Sequence, residues 1–292
     1  MNYKDYDIIS VSELNSLHSL HTVFENCHDV TIHDLKLDGL GGNNMLFLIK
    51  NCQSVKFLNV KAGNTRNDII RISPPLESLE IGDSELYGNR IVNNEHPDAI
   101  QMYPENPPIT NLRIYNTIFH SSNHQFTQAL RTYNATLEGV LTHSGGQFNL
   151  DIFNSAKINY CTFASGLTVT AHGDSVIEID HCVIDWGVFK GKPDNYRITN
   201  SVICNHGSDT GGINFEEETN TLLPRRTLPD LFDDEFNLLN NTKKAGYNFY
   251  QSPEPTIPDV PPVIIPDEPD TITIPRAELK DMMIKIQLWL EG

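Results

Sequence analysis

VTIHDLKLDG, Val30–Gly39, decides the fold of this chain. Apolar residues alternate with polar ones up to Ile32, the phase breaks at His33-Asp34, and alternation resumes at Leu35. Alternation with period two marks half-buried strands, and an Asn, Asp or Gly between two of them marks a bend. The same four-residue core, apolar-x-[Asn/Asp]-x, begins at Ile32 and returns at Phe57 (FLNV), Ile81 (IGDS) and Ile114 (IYNT). Weaker copies begin at Leu137, Ile158, Ile179 and Ile198. The intervals are 25, 24, 33, 23, 21, 21 and 19 residues.

An apolar residue commonly stands two positions before the anchor (Val30, Val55, Leu79, Leu112, Ile177). Another stands five after it (Leu37, Leu86, Phe119, Phe163, Ile184, Ile203). Repeats of this length with two or three short strands each are the rungs of a solenoid. The uneven spacing excludes propeller blades and leucine-rich repeats, which hold their period tightly. The expectation is an all-β chain, a right-handed single-stranded parallel β-helix of about eight coils over residues 26–207, with neighbouring strands ~4.8 Å apart. Cys27 and Cys52 lie three residues before the first strand residue of their rungs, and Cys161 and Cys182 three after their anchors, so they read as stacked buried thiols rather than ligands or disulfides.

An open coil exposes core and strand edges, so both ends need covering. Residues 1–25 are expected as the N-terminal cap, with an amphipathic helix over 12–24 that carries Leu14, Leu17 and Leu20 on one face. Residues 208–251 lose the repeat and are expected to close the other end. From 252 to 275 the chain is proline-rich, an extended spacer. Residues 276–292 then read as a short helix with Leu279, Met282, Met283, Ile286, Trp289 and Leu290 on one apolar face. Such a helix is marginal alone and is expected to dock on a partner or self-associate.

Asp and Glu outnumber Lys and Arg by 38 to 21, a formal net charge of −17. That balance argues against nucleic acid or an anionic membrane as the main partner, and leaves room for a bound cation such as Ca²⁺. No apolar run is long enough to span a membrane, and the start, MNYKDYDIIS, lacks the apolar core of a secretory signal. No cofactor is required by any motif.

The longest interval contains NNEHPDAIQMYPENPP, residues 93–108. Aligning one strand per coil by its apolar residues gives NDIIRIS (67–73), PDAIQMY (97–103), TQALRTY (127–133) and FNLDIFN (148–154). This alignment puts Arg71, Gln101, Arg131 and Asp151 in one outward row. Asp68, Asp98 and Gln128 lie three residues earlier, and Tyr103 is available to stack on a sugar. The loops bring His96 and His124 to the edge. Two carboxylates on adjacent coils, Asp68 and Asp98, suit glycoside hydrolysis, as do Asp98 and Asp151 two coils apart. His96 or His124 with Arg71 and Arg131 suits a lyase instead. The carboxylates favour hydrolysis, with Asp98 central. The plain alternative is a solvated face with ion pairs between coils.

Residues 20–207 resemble the pectate-lyase-like right-handed β-helix superfamily through the rung pattern (VTIHDLKLDG, LRIYNTIF, IEIDHCVI) and through His96-Pro97-Asp98-Ala99-Ile100-Gln101. The latter looks like the H-x-D-x-[IL]-Q stretch of β-helix proteins that act on polysaccharides. The resemblance implies a glycan-binding groove and, with the proline spacer and terminal helix, a bacteriophage tail component. A tailspike or depolymerase would meet a bacterial surface or acidic polysaccharide, and residues 276–292 would contact other virion proteins or a second copy. The Gly-His-Gly of polygalacturonases is absent; His143-Ser144-Gly145-Gly146 departs from it. The competing implication is a non-catalytic glycan-binding or structural virion module.

Overall fold

A computed structural model of the chain describes residues 2–12, 21–39, 45–88, 97–120, 125–204, 213, 219–223, 245–247 and 250. Every strand pairing among them is parallel, and the chain winds as a right-handed β-solenoid of about eight turns. Each turn crosses three faces. Face 1 stacks Asn2–Lys4, Thr22–Glu25, Phe47–Lys50, Ile70–Ser73, Asp98–Met102 and Gln125–Gln128. It continues through the leading parts of Leu130–His143 and Phe148–Asn159, then Leu167–Ala171 and Gly187–Lys190. Face 2 holds the anchor strands, and face 3 the short strands that follow them.

The Asn/Asp position of each anchor makes the bend between faces 2 and 3. Asp34, Asn59, Asp83, Asn116, Gly139, Tyr160, His181 and Asn200 all have φ between 43° and 57°. Asn and Asp tolerate this left-handed conformation best, and here they also bond across coils. Asn59 Nδ2 donates to Asp34 Oδ1 at 2.7 Å, and Asn116 Nδ2 to Asp83 Oδ1 at 2.6 Å. A second ladder, Asp5–Asn26–Asn51, turns face 1 into face 2, with bonds of 2.9 and 2.7 Å.

Inside the coil like stacks on like. All eight anchor residues are buried, as are the apolar residues on either side of them. Phe119 meets Phe126 and Phe148 at 6.0 and 5.4 Å, and Phe148 meets Phe163 at 5.7 Å. The cysteines are all buried, and none is in a disulfide among the described residues. Burial pushes the Cys52 thiol up to about 11.

The ends differ from expectation in position. Strands Asn2–Lys4 and Ile8–Val11 already pair with the next coil, so the ladder begins inside the segment expected as a cap. Residues 13–20 of the expected plug helix lie outside the described residues, and at its expected end Thr22–Glu25 form a strand. At the other end Thr221–Leu223 adds a strand, and Ile213 packs on the core. Ala245 covers Ala164, Val183, Val202 and Cys204 on the outside of face 3. Tyr247 continues along that flank, its N–H donating to Thr162 Oγ1 at 2.9 Å and its hydroxyl to Asn116 Oδ1 at 3.3 Å. The flank of this face is apolar because the returning chain covers it. The proline-rich spacer and the terminal helix lie outside the described residues.

Phe148 sits at the centre of the aromatic column. Phe148→Ala should cost about 3–5 kcal/mol of unfolding free energy, read by chemical denaturation; a change below about 1 kcal/mol would mean that the column is not close-packed.

Candidate functional site

The outward rows of faces 1 and 2 have opposite character. On face 2 the row runs Thr31, Lys56, Glu80, Arg113, Thr136, Lys157, Glu178, Arg197. Opposite charges alternate and meet: Lys56–Glu80 at 3.7 Å, Arg113–Glu80 at 3.4 Å, Arg113–Glu138 at 3.7 Å. This is a self-compensated ladder, and such exposed pairs contribute little stability each. Face 1 pairs Lys50 with Glu25 at 4.0 Å and Arg71 with Asp68, but among the described residues no row of alternating charges runs along it.

On face 1 the registered row is Leu48, Arg71, Gln101, Gln128. A second row is Arg131, Asp151, Thr170, Lys190. The single row expected from sequence is therefore two. Ile100 pairs with Thr127, not with Leu130 as the alignment expected. Ala129 takes φ 51° between the two strands, and Leu130 starts again opposite Leu150. Apolar matching chose Leu130 because a Thr pointing inward cannot be told by type from one pointing out. The correction moves Gln125, not Gln128, into line with Asp98. It also moves Asp151 along the face, away from a position above Asp98.

Asp68 and Asp98 lie side by side, as expected, but inside. They are 1% and 0% exposed. The Asp98 N–H donates to Asp68 Oδ1 at 3.0 Å. Arg71 closes the pair from outside: its Nε and Nη2 reach Asp68 Oδ2 at 2.7 and 2.5 Å, and Nη2 also donates to Asn67 at 3.1 Å. Its guanidinium then lies 5.8 Å from the Tyr103 ring. Burial, then the neighbouring Asp68, pushes the Asp98 carboxyl up to about 8, and burial raises Asp68 as well. At neutral pH Asp98 is a neutral acid beneath an Asp68–Arg71 ion pair. Two carboxyls sealed from solvent cannot flank a glycosidic bond. Their parity was the missed signal: Asp98 shares the inward phase of Ile100 and Met102, and Asp68 that of Ile70 and Ile72.

The rest of the face is open. Gln101 Nε2 donates to Gln128 Oε1 at 2.5 Å. Arg131 Nη1 donates to the carbonyls of Pro104 and Asn106, the latter at 2.7 Å, tying down the turn that lengthens this coil. Among the described residues Arg131 forms no ion pair. Tyr103 and Tyr133 are 40% and 45% exposed. Sequence reasoning missed the column that Tyr133 belongs to. Tyr133 meets Phe153 at 6.0 Å, Phe153 stacks on His172 at 4.3 Å with planes 2° apart, and the Arg131 guanidinium lies 5.1 Å from the Phe153 ring. The spacing of Tyr133, Phe153 and His172, 20 and 19 residues, matches the local repeat and could have shown it. His96 and His124 lie outside the described residues. Among the described residues no cluster of His, Cys, Asp and Glu is arranged to hold a metal, and no helix is long and apolar enough to cross a membrane.

Fold and face together define a right-handed parallel β-solenoid with one open polar and aromatic face, the kind of scaffold common among polysaccharide-active proteins. The chain matches no protein-family model, no curated protein and no solved structure.

The buried pair makes a pH prediction. The folded-state pKa of Asp98 is raised, so its stabilising contribution is complete below about pH 4 and is lost as pH rises through about 8. The swing is at most roughly 6 kcal/mol. Asp98→Asn should flatten stability between these limits and leave the variant more stable than wild type at alkaline pH, by denaturant titration. A parallel loss of stability at every pH would contradict the neutral-acid assignment.

Proposed function

We propose that this solenoid is a polysaccharide-active protein that takes an acidic glycan along face 1 and cleaves it. One observation carries the reading: among the described residues Arg131 forms no ion pair on face 1, beside exposed Tyr103 and Tyr133, while on face 2, built by the same coils, Lys56, Glu80, Arg113 and Glu138 pair with one another. Nothing in solenoid packing asks for that difference. Exposed aromatic rings offer flat apolar surface to pyranose rings, and Arg, Gln and Asn side chains bond hydroxyls and carboxylates. The proposed setting is a phage tail, with residues 276–292 attaching the protein to the virion or to a second copy. That part rests on the proline-rich spacer and the apolar face of the terminal sequence.

The burial of Asp68 and Asp98 favours a second reading, a glycan-binding module without turnover. Binding and cleavage separate the two. Uronate polymers and capsular polysaccharides cast into native gels should retard the protein. Tyr133→Ala should weaken that retention about tenfold, ~1.4 kcal/mol, while Lys56→Ala on face 2 should leave it unchanged. Equal effects from both substitutions would remove face 1 as the binding face. Retention with no shortening of the glycan would establish the binding module instead.

A further inference from the structure

A serine, a histidine and an aspartate meet on the first two coils, at the end of face 2 and away from face 1. Ser10 stands outward on the strand Ile8–Val11, whose register sets it beside Thr31 of the next coil. His33 follows two residues after Thr31 on the same outward side, and Asp34 makes the bend. Ser10 Oγ lies 2.9 Å from His33 Nε2, and His33 Nδ1 lies 2.8 Å from Asp34 Oδ2. The hydrogen bonds from His33 and then Asn59 hold the Asp34 carboxyl below the usual carboxylate range. An ionised carboxylate only accepts, so Nδ1 carries the ring proton and Nε2 accepts the Ser10 hydroxyl. Asn59 Nδ2 fixes the other Asp34 oxygen at 2.7 Å, so the ladder that builds the bend also orients the acid. The same neighbour bond occurs in His28–Asp29 and His181–Asp180, at 2.9 and 2.8 Å. Among the described residues neither of those rings has a serine on Nε2. Ile8–Val11 is also the outermost strand of its sheet among the described residues. The Asp29 N–H donates to the Asp7 carbonyl at 2.8 Å. Backbone groups of alternate residues in a parallel strand turn to opposite sides, so Asp7, Ile9 and Val11 face the second coil and the Ser10 N–H points away from it.

We infer that Ser10, His33 and Asp34 form a second, hydrolytic site that cleaves short-chain acyl esters through an acyl-Ser10 intermediate. This site does not depend on a glycan at face 1. A serine hydroxyl is a weak nucleophile until a base accepts its proton, and that base needs a third group to set its tautomer and orientation. All three are present in that order of contact. Ser10 Oγ bonds to the ester carbonyl carbon as His33 Nε2 takes the hydroxyl proton. The carbonyl electron pair moves onto its oxygen, for which the outward Ser10 N–H is a donor. The pair returns, the bond from carbon to the alcohol oxygen breaks, and His33 gives its proton to that oxygen. Water then loses a proton to His33 and attacks the acyl-serine by the same route. The acid leaves and His33 returns the proton to Ser10 Oγ. Ester and water become acid and alcohol, and no oxidant or reductant is consumed. Ile8, two residues from Ser10 and 59% exposed, offers the acyl group apolar surface without enclosing it, which suits a short chain. The His33 and Asp34 side chains are 32% and 59% exposed, so the site is open to solvent water for the second half of the reaction.

The test uses the full chain with p-nitrophenyl acetate and p-nitrophenyl octanoate, and separately with a fluorophosphonate probe followed by peptide mass spectrometry. Wild type should release nitrophenol faster from the acetate than from the octanoate, and the probe should label Ser10. Ser10→Ala should lower the rate at least about a hundredfold and lose the label. His33→Ala should lose both rate and label, whereas His181→Ala, in a His–Asp pair with no serine, should keep the wild-type rate. Four results overturn the inference: wild type that is not labelled at Ser10, a wild-type rate in Ser10→Ala, equal losses in His33→Ala and His181→Ala, or faster release from the octanoate. Labelling is read on wild type alone, so it decides the matter even where a variant fails to fold.

Discussion

The parallel register is the constraint on which everything else rests. Each side chain has its counterpart one coil away, about 4.8 Å above or below. An inward position must therefore suit a column, not a single site, and the result is stacks of Phe, Ile, Val and Cys. The bends obey the same rule. A residue in the left-handed conformation recurs at every anchor, and where successive residues are Asn and Asp they bond along the ladder. Outward positions are free of packing demands, so what stands there reports on solvent, ion pairing or ligand. The charge ladder of face 2 and the open, aromatic face 1 are two answers to that freedom.

The fold was legible because register imposes a period on the sequence. All eight anchors lie inside the coil, and the residue two after each anchor is the bend, even where it is Gly139, Tyr160 or His181 rather than Asn or Asp. The site was legible only in part. Arg71, Gln101, Gln128, Arg131, Asp151 and Tyr103 do lie on one face. Their mutual register was lost at Ala129, where a local bend shifts the following strand in a way that no residue type announces. Burial of Asp98 was readable from its phase with Ile100, but an acid in a strand invites a surface assignment. The price of burying it is lowered by keeping it protonated, with Arg71 bonded to Asp68.

The long coil around residues 93–108 follows from the same geometry. Its described part is a strand that carries Asp98 inward, then a turn at residues 103–106 whose carbonyls are held by Arg131 from the next coil. The turn raises Tyr103 at the border of the face and fixes one edge of the space above Gln101 and Gln128. The buried acid pair lies beneath Arg71, and the clamped turn lies beside it. Asp151 and His172 stand two and three coils further on.

The central claim is that face 1 is where this solenoid meets its ligand. The most direct measurement is a crystal structure of the protein with an acidic oligosaccharide bound. The account predicts sugar rings against Tyr133 and Phe153, with a carboxylate at Arg131. A ligand seated on the charge ladder of face 2, or on the flank covered by Ala245 and Tyr247, would contradict it.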